Sequence, residues 1–152
     1  MANIKFIADA HLGRVAKYLR ALGYDTLFFS NIKDKDIIKI SKSKNRVVLT
    51  KDRALCASIK DRCYLIKSKN CIDGLKEVVE KFNLLDKAKP FTICLKDNTL
   101  LQNVEKEKVI NRLPERVKKF YTFFKICPTC NRIYWEGGHY KRMKRLLGSI
   151  FD

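Results

Sequence analysis

Between Ile4 and Phe82 two apolar patterns take turns along the chain. Ile4–Ala8, Thr26–Phe29, Arg46–Thr50 and Cys63–Ile66 are short, mostly apolar runs and read as buried strands. Between them apolar residues return every three or four positions. In Leu12–Leu22 the stripe is Leu12, Val15, Ala16, Leu19 and Leu22, and Gly23 is placed to end the helix. A second helix opens at Asp34 or Asp36 and runs to Lys44, with Ile37, Ile38 and Ile40 turned inward. Two more are predicted over Arg53–Lys60 and Ile72–Phe82. Strands alternating with helices predict an α/β fold with a parallel sheet and right-handed crossovers. The economical strand order is 2-1-3-4, so the connection direction reverses between strands 1 and 3. Ligands of such sheets bind at the carboxyl ends of the strands, at that reversal. Asp9 ends strand 1 and Asp52 follows strand 3.

The pattern changes after Asp86–Pro90 (DKAKP), a polar linker closed by proline. We therefore divide the chain into residues 1–85 and 91–152. Short strands are predicted at Phe91–Leu95 and Leu100–Val104, and a short helix at Glu105–Asn111. Tyr121–Ile126 and Arg132–Trp135 read as a hairpin around Cys127-Pro-Thr-Cys130, and His139–Leu147 as a basic helix.

Composition narrows the function. The net charge is +17, with 33 Lys+Arg against 16 Asp+Glu among 152 residues. A polyanion is the expected partner, and nucleic acid is the commonest. No apolar run approaches the roughly 20 residues that span a bilayer, and the N-terminus lacks a signal-peptide layout. The expectation is a cytoplasmic protein with no membrane contact. Cys56, Cys63 and Cys71 lack ligand spacing and are expected as separate small core residues.

Asp9, Asp34, Asp36 and Asp52 all fall at strand ends or helix starts on one edge of the expected sheet. Carboxylates gathered there suit magnesium or manganese, and phosphodiester hydrolysis with it. The competing reading makes Asp34, Asp36 and Asp52 helix caps and Asp9 a turn residue. Thr50 offers a hydroxyl to metal or phosphate. Arg14 and Arg20 are phosphate clamps or a solvated helix face. Arg53 is a counter-ion to the acidic cluster or steadies the phosphate, and His11 touches substrate or is a solvated loop residue.

Three ordered motifs resemble the Mut-seven C-terminal RNase domain family. They are Asp9-Ala-His-Leu-Gly-Arg14 through Gly23-Tyr24-Asp25, Arg46-Val-Val-Leu-Thr50-Lys-Asp52-Arg53, and Cys127-Pro-Thr-Cys130 through Gly137-Gly138-His139-Tyr140. The resemblance implies a PIN-like three-layer domain followed by a small zinc-ribbon-like α+β domain, and a metal-dependent ribonuclease. It assigns Asp9, Asp34 and Asp52 to magnesium or manganese and Asp36 to the accompanying acidic position. Lys35 stands where the family often has another Asp, which predicts weaker metal affinity or one ion in place of two.

The ribbon also departs from the family pattern. Its second knuckle, Cys127 and Cys130, is intact, whereas the first begins at Cys94 and has Asp97 in place of its second cysteine. Either Asp97 is a fourth zinc ligand, or the site has decayed and Phe91, Leu100, Phe123, Phe124 and Trp135 hold the ribbon as a small core. Basic residues crowd this part of the chain, with Tyr121, Tyr134 and Tyr140 among them. Lys141, Arg142, Lys144 and Arg145 are the leading RNA contacts. Two functions follow: an endoribonuclease, or a non-catalytic protein that binds RNA or the ribosome on the same scaffold.

Overall fold

The structure is a computed structural model that describes residues 4–147. Four short parallel strands form the first sheet: β1 (Phe6–Ala8), β2 (Thr26–Phe28), β3 (Val47–Thr50) and β4 (Cys63–Leu65), in the order β2-β1-β3-β4. The expected strand order is therefore the observed one. Ile7 pairs with Val48 and Ala8 with Leu49, so successive residues face opposite sides of the sheet. Phe6, Ala8 and Leu49 pack with α1 (Gly13–Ala21) and α4 (Cys71–Lys81). Ile7 and Val48 pack with Ile37 of α2 (Asp34–Ser43) and with Leu55 and Ile59 of α3 (Arg53–Ile59). The result is helices on both faces of a buried parallel sheet.

The apolar stripe of α1 is buried as its spacing predicts. Its end is a Schellman motif: Tyr24 N–H donates to the Leu19 carbonyl and Gly23 N–H to that of Arg20. Gly23 has φ +95°, and a Cβ there would meet the Lys89 carbonyl oxygen. Both facts require glycine. The carbonyls of Leu22 and Ala21 accept from Lys89 and Phe91 N–H, so the linker completes the helix end.

Beyond the linker the expected strand at Phe91–Leu95 is reduced to one bridge, Ile93 to Leu100. Three antiparallel strands follow, β5 (Gln102–Val104), β6 (Phe124–Ile126) and β7 (Ile133–Tyr134), in the order β5-β6-β7. Two short helices lie between the first two, α5 (Lys106–Val109) and α6 (Glu115–Phe120). The second was not expected, although Pro114 is a suitable N-cap neighbour for it. This part has its own small core of Val109, Leu113, Val117 and Phe124. That corrects the expected one: Leu100 and Phe123 are 70% and 84% exposed. Phe123 lies just before the strand that begins with the inward Phe124, and alternation turns it outward.

Side-chain bonds also join the two parts. Asn98 Nδ2 donates to Asp25 Oδ1 at 2.6 Å, and Thr26 N–H donates to Asn98 Oδ1 at 3.0 Å. Arg46 ion-pairs with the same carboxylate at 2.9 Å. Partial burial opposes the charge of Asp25, but these bonds outweigh it and lower the pKa. The terminal helix α7 (Gly138–Leu147) returns to the first core, where Met143 is buried.

A second correction concerns the cysteines. Cys56 on α3 and Cys63 at the start of β4 form a disulfide, with Cα atoms 5.3 Å apart. A 3-10 turn at Lys60–Arg62 folds the chain back between them. Cys71 remains free.

Candidate active edge and metal centre

Because the four strands run parallel, everything that follows a strand lies on one edge. Asp9 follows β1, Asp34 opens α2 after β2, and Asp52 follows β3. Asp9 N–H donates to the Leu49 carbonyl at 2.9 Å, which extends the ladder past the strand end. The Thr50 hydroxyl then donates to Asp9 Oδ2 at 2.7 Å and accepts from Asp52 N–H at 3.0 Å. One side chain thus links two acidic residues separated by more than forty positions in sequence. Thr50 is fully buried. Its hydroxyl is engaged by Asp9 and by the Asp52 backbone, and so orients the Asp9 carboxylate.

Asp52 Oδ1 accepts from Leu55 N–H at 3.2 Å, so it caps α3 while its other oxygen makes no such bond. The capping reading is therefore true for Asp52, and it leaves one oxygen for other use. Asp34 and Asp36 are exposed in the first turn of α2, with Lys35 between them, and neither caps the helix. Among the described residues, the four aspartates do not gather into a group of three or more placed to hold a metal ion together.

Arg14 is exposed in the first turn of α1, with its guanidinium 3.3 Å from the Tyr18 hydroxyl. Arg53 and His11 are exposed as well. Arg20 is different. It is 6% exposed and donates to the carbonyls of Thr26, Leu95 and Lys96. Burial lowers its pKa, against the opposing pull of Cys94 and Asp97. Its place on α1 points it past the start of β2 towards the first knuckle, where its donors tie the two parts together.

Among the described residues, Cys94, Asp97, Cys127 and Cys130 do form a tight set, with all ligand atoms within 4.8 Å of one another. Two matching turns build it. Cys94 N–H donates to the Thr99 carbonyl and Cys127 N–H to that of Arg132. The Cys94 and Cys127 carbonyls accept from Asn98 and Asn131, whose φ values are +68° and +65°. Asn tolerates that left-handed conformation better than most residues. Asp97 therefore holds the place in the first turn that Cys130 holds in the second.

The distances are close throughout. Cys94 Sγ is 3.7 Å from Cys130 Sγ, and Cys127 Sγ is 3.4 Å from both Asp97 oxygens. The Tyr134 hydroxyl is 3.0 Å from Cys94 Sγ and also accepts from Leu95 N–H. Burial favours a neutral Asp97, but hydrogen bonds from Thr99, Cys94 and Cys127 outweigh it and hold the pKa at about 2. Burial and the neighbouring sulfurs push the Cys130 thiol up to about 11. Such a close set of three thiols and one carboxylate can hold a metal ion, whose binding would displace the thiol protons. The roles of Tyr134 and Asn98 were not foreseen. The signal was the Asn that follows both Asp97 and Cys130.

Lys141, Arg142 and Arg145 are exposed on α7, and Met143 between them anchors the helix. The Lys144 side chain lies outside the described set. No helix among the described residues is long and apolar enough to cross a membrane.

Comparison with curated proteins and with solved structures gives no match. Comparison with protein-family models matches residues 4–147 to the Mut7-C RNAse domain. The match takes in both the acidic edge and the Cys94–Cys130 set. With nearly its whole length covered, the chain belongs to the Mut7-C RNAse domain family.

Proposed function

We propose that this chain is a metal-dependent endoribonuclease whose chemistry takes place at the acidic edge. What supports the reading most is the Asp9–Thr50–Asp52 link at the strand-order reversal. Asp9, Asp34 and Asp52, with Asp36 beside them, would hold magnesium or manganese, since hard cations take carboxylate oxygens. When bound, the cation supplies water activation and charge neutralisation at the phosphate. The protein's part is positioning. Thr50 fixes the Asp9 carboxylate, and the α3 cap fixes Asp52 with one oxygen still free. Arg14 and Arg53 lie exposed after the ends of β1 and β3, where each can approach a phosphate.

Cys94, Asp97, Cys127 and Cys130 would hold zinc as a structural ion of a ribbon. A tetrahedral zinc sets paired sulfurs about 3.8 Å apart, and sulfur and carboxylate oxygen about 3.6 Å apart. The 3.7 Å and 3.4 Å separations fit that donor set. Asp97 is then the fourth ligand. Zinc in the purified protein, measured by elemental analysis, is expected at one ion per chain.

RNA cleavage with manganese or with EDTA tests the main reading. Wild type should cleave only with the cation, and Asp9→Asn combined with Asp52→Asn should not cleave. Activity that survives the double substitution removes this mechanism. Lys35, exposed between Asp34 and Asp36, favours a second reading, in which the scaffold binds RNA or the ribosome without cutting. It predicts salt-sensitive binding and no cleavage under any cation.

A further inference from the structure

Beyond the ends of β3 and β4 lies a groove of about 420 Å³. Its walls are Lys51, Arg53, Lys67, Ser68 and Lys69, with Leu65 in the lining. Asp52, the acidic residue at the end of β3, sits in sequence between two of these basic residues. Ile66 N–H donates to the Thr50 carbonyl at 2.8 Å, so the loop carrying Lys67–Lys69 leaves the sheet directly opposite Thr50.

That loop is held in place. Glu77 on α4 accepts from Lys67 N–H at 3.1 Å, Ser68 N–H at 2.7 Å and the Tyr64 hydroxyl at 3.0 Å. Partial burial works against its charge, but these bonds outweigh it and hold the pKa at about 2. The carboxylate therefore stays ionised at neutral pH, and Glu77 is not among the residues that line the groove. Lys51 Nζ donates to the Lys69 carbonyl at 3.0 Å, which joins the two walls. Lysines that are merely solvating a surface need no such pinning of the backbone beneath them. Four cations with no acidic residue in the lining suit a chain of phosphates.

We propose that this groove is a binding subsite for the RNA phosphate backbone flanking the bond to be cut, with Lys51, Lys67 and Lys69 as contacts and Glu77 as a positioning residue. The inference rests on RNA as substrate and extends it. It fixes the side of the acidic edge on which the strand lies, beyond β3 and β4 and away from α2.

The test measures binding and cleavage separately. A short fluorescent single-stranded RNA is titrated in EDTA against wild type, the variant Lys51→Ala/Lys67→Ala/Lys69→Ala, and a control, Lys39→Ala/Lys42→Ala/Lys44→Ala, with equal charge loss on α2. The groove variant should weaken binding about tenfold or more and lower the log–log salt slope by about 2, from three lost phosphate contacts at about 0.7 each. The control should change both less. Glu77→Gln, which frees the loop and keeps all the cations, should weaken binding without lowering the slope. On the unaltered protein, RNA should shield Lys51, Lys67 and Lys69 from an acetylating reagent. Equal losses in groove and control variants, with no shielding, overturn the subsite. Cleavage with manganese is scored independently. If wild type never cleaves but the groove variant loses binding, the nuclease reading fails and the subsite stands. If wild type cleaves and the groove variant binds as well as wild type does, the subsite fails and the nuclease reading stands.

Discussion

The acidic edge and the Cys94–Cys130 set are both built from residues far apart in sequence, but by opposite means. The acidic edge is assembled by topology. Parallel strands deliver Asp9, Asp34 and Asp52 to one end of the sheet, and only Asp9 and Asp52 are joined, through Thr50. The second set is assembled by two local turns of the same shape, which bring four ligand atoms within 4.8 Å of one another. Asp34 and Asp36 are exposed, whereas Cys94 and Cys127 are buried. An open, loosely joined set leaves room for substrate and an exchangeable cation. A closed one leaves no position free and suits an ion that stays.

This contrast can be broken most sharply at Asp9. Asp9→Asn should lower manganese-dependent cleavage on the order of a hundredfold to a thousandfold, as loss of a charge-stabilising group does. Its effect on stability should stay within about 1 kcal/mol, since one hydrogen bond is altered. Zinc content should not change. Cys127→Ala should do the reverse. Zinc falls towards zero and residues 91–134 lose several kcal/mol, on the order expected when a structural ion is lost, with hydrogen exchange locating the loss. Equal damage to cleavage and fold from both variants would erase the distinction.

Smaller effects probe the framework between the two sites. Gly23→Ala should destabilise by about 1–3 kcal/mol in urea unfolding, from the positive φ and the Lys89 carbonyl together. Glu77 has a pKa lowered from 4.5 to about 2. The stability it contributes is fully present above pH 4.5 and is lost as pH falls towards 2. Glu77→Gln should therefore flatten the stability profile between those values and leave the profile above them parallel to wild type.

Much of this was legible in the chain. Two periodicities gave the strands, the helices and the order β2-β1-β3-β4, because burial on both sheet faces forces continuous apolar runs. The edge placement of Asp9 and Asp52 followed from that order alone. What periodicity does not carry is side-chain direction off the stripe. Arg20 reads as one more basic residue of α1, yet it is buried under the first knuckle, where three carbonyls need a donor. Thr50 reads as a contact for metal or phosphate, and no periodicity shows that its hydroxyl joins Asp9 to Asp52. In the second part the elements are too short for a period to show: β7 has two residues and α5 has four. Phe123 and Phe124 could not be told apart until the strand register was known. The Cys56–Cys63 pairing depended on the turn at Lys60–Arg62, which no spacing rule announces.

The most direct test treats one preparation with EDTA, removes the chelator, and follows zinc content and RNA cleavage in the same samples. Two sites of opposite character predict that about one zinc per chain survives the treatment, while cleavage vanishes and returns on adding manganese. Cleavage that persists without a divalent cation, or that returns only when zinc is restored, would contradict them.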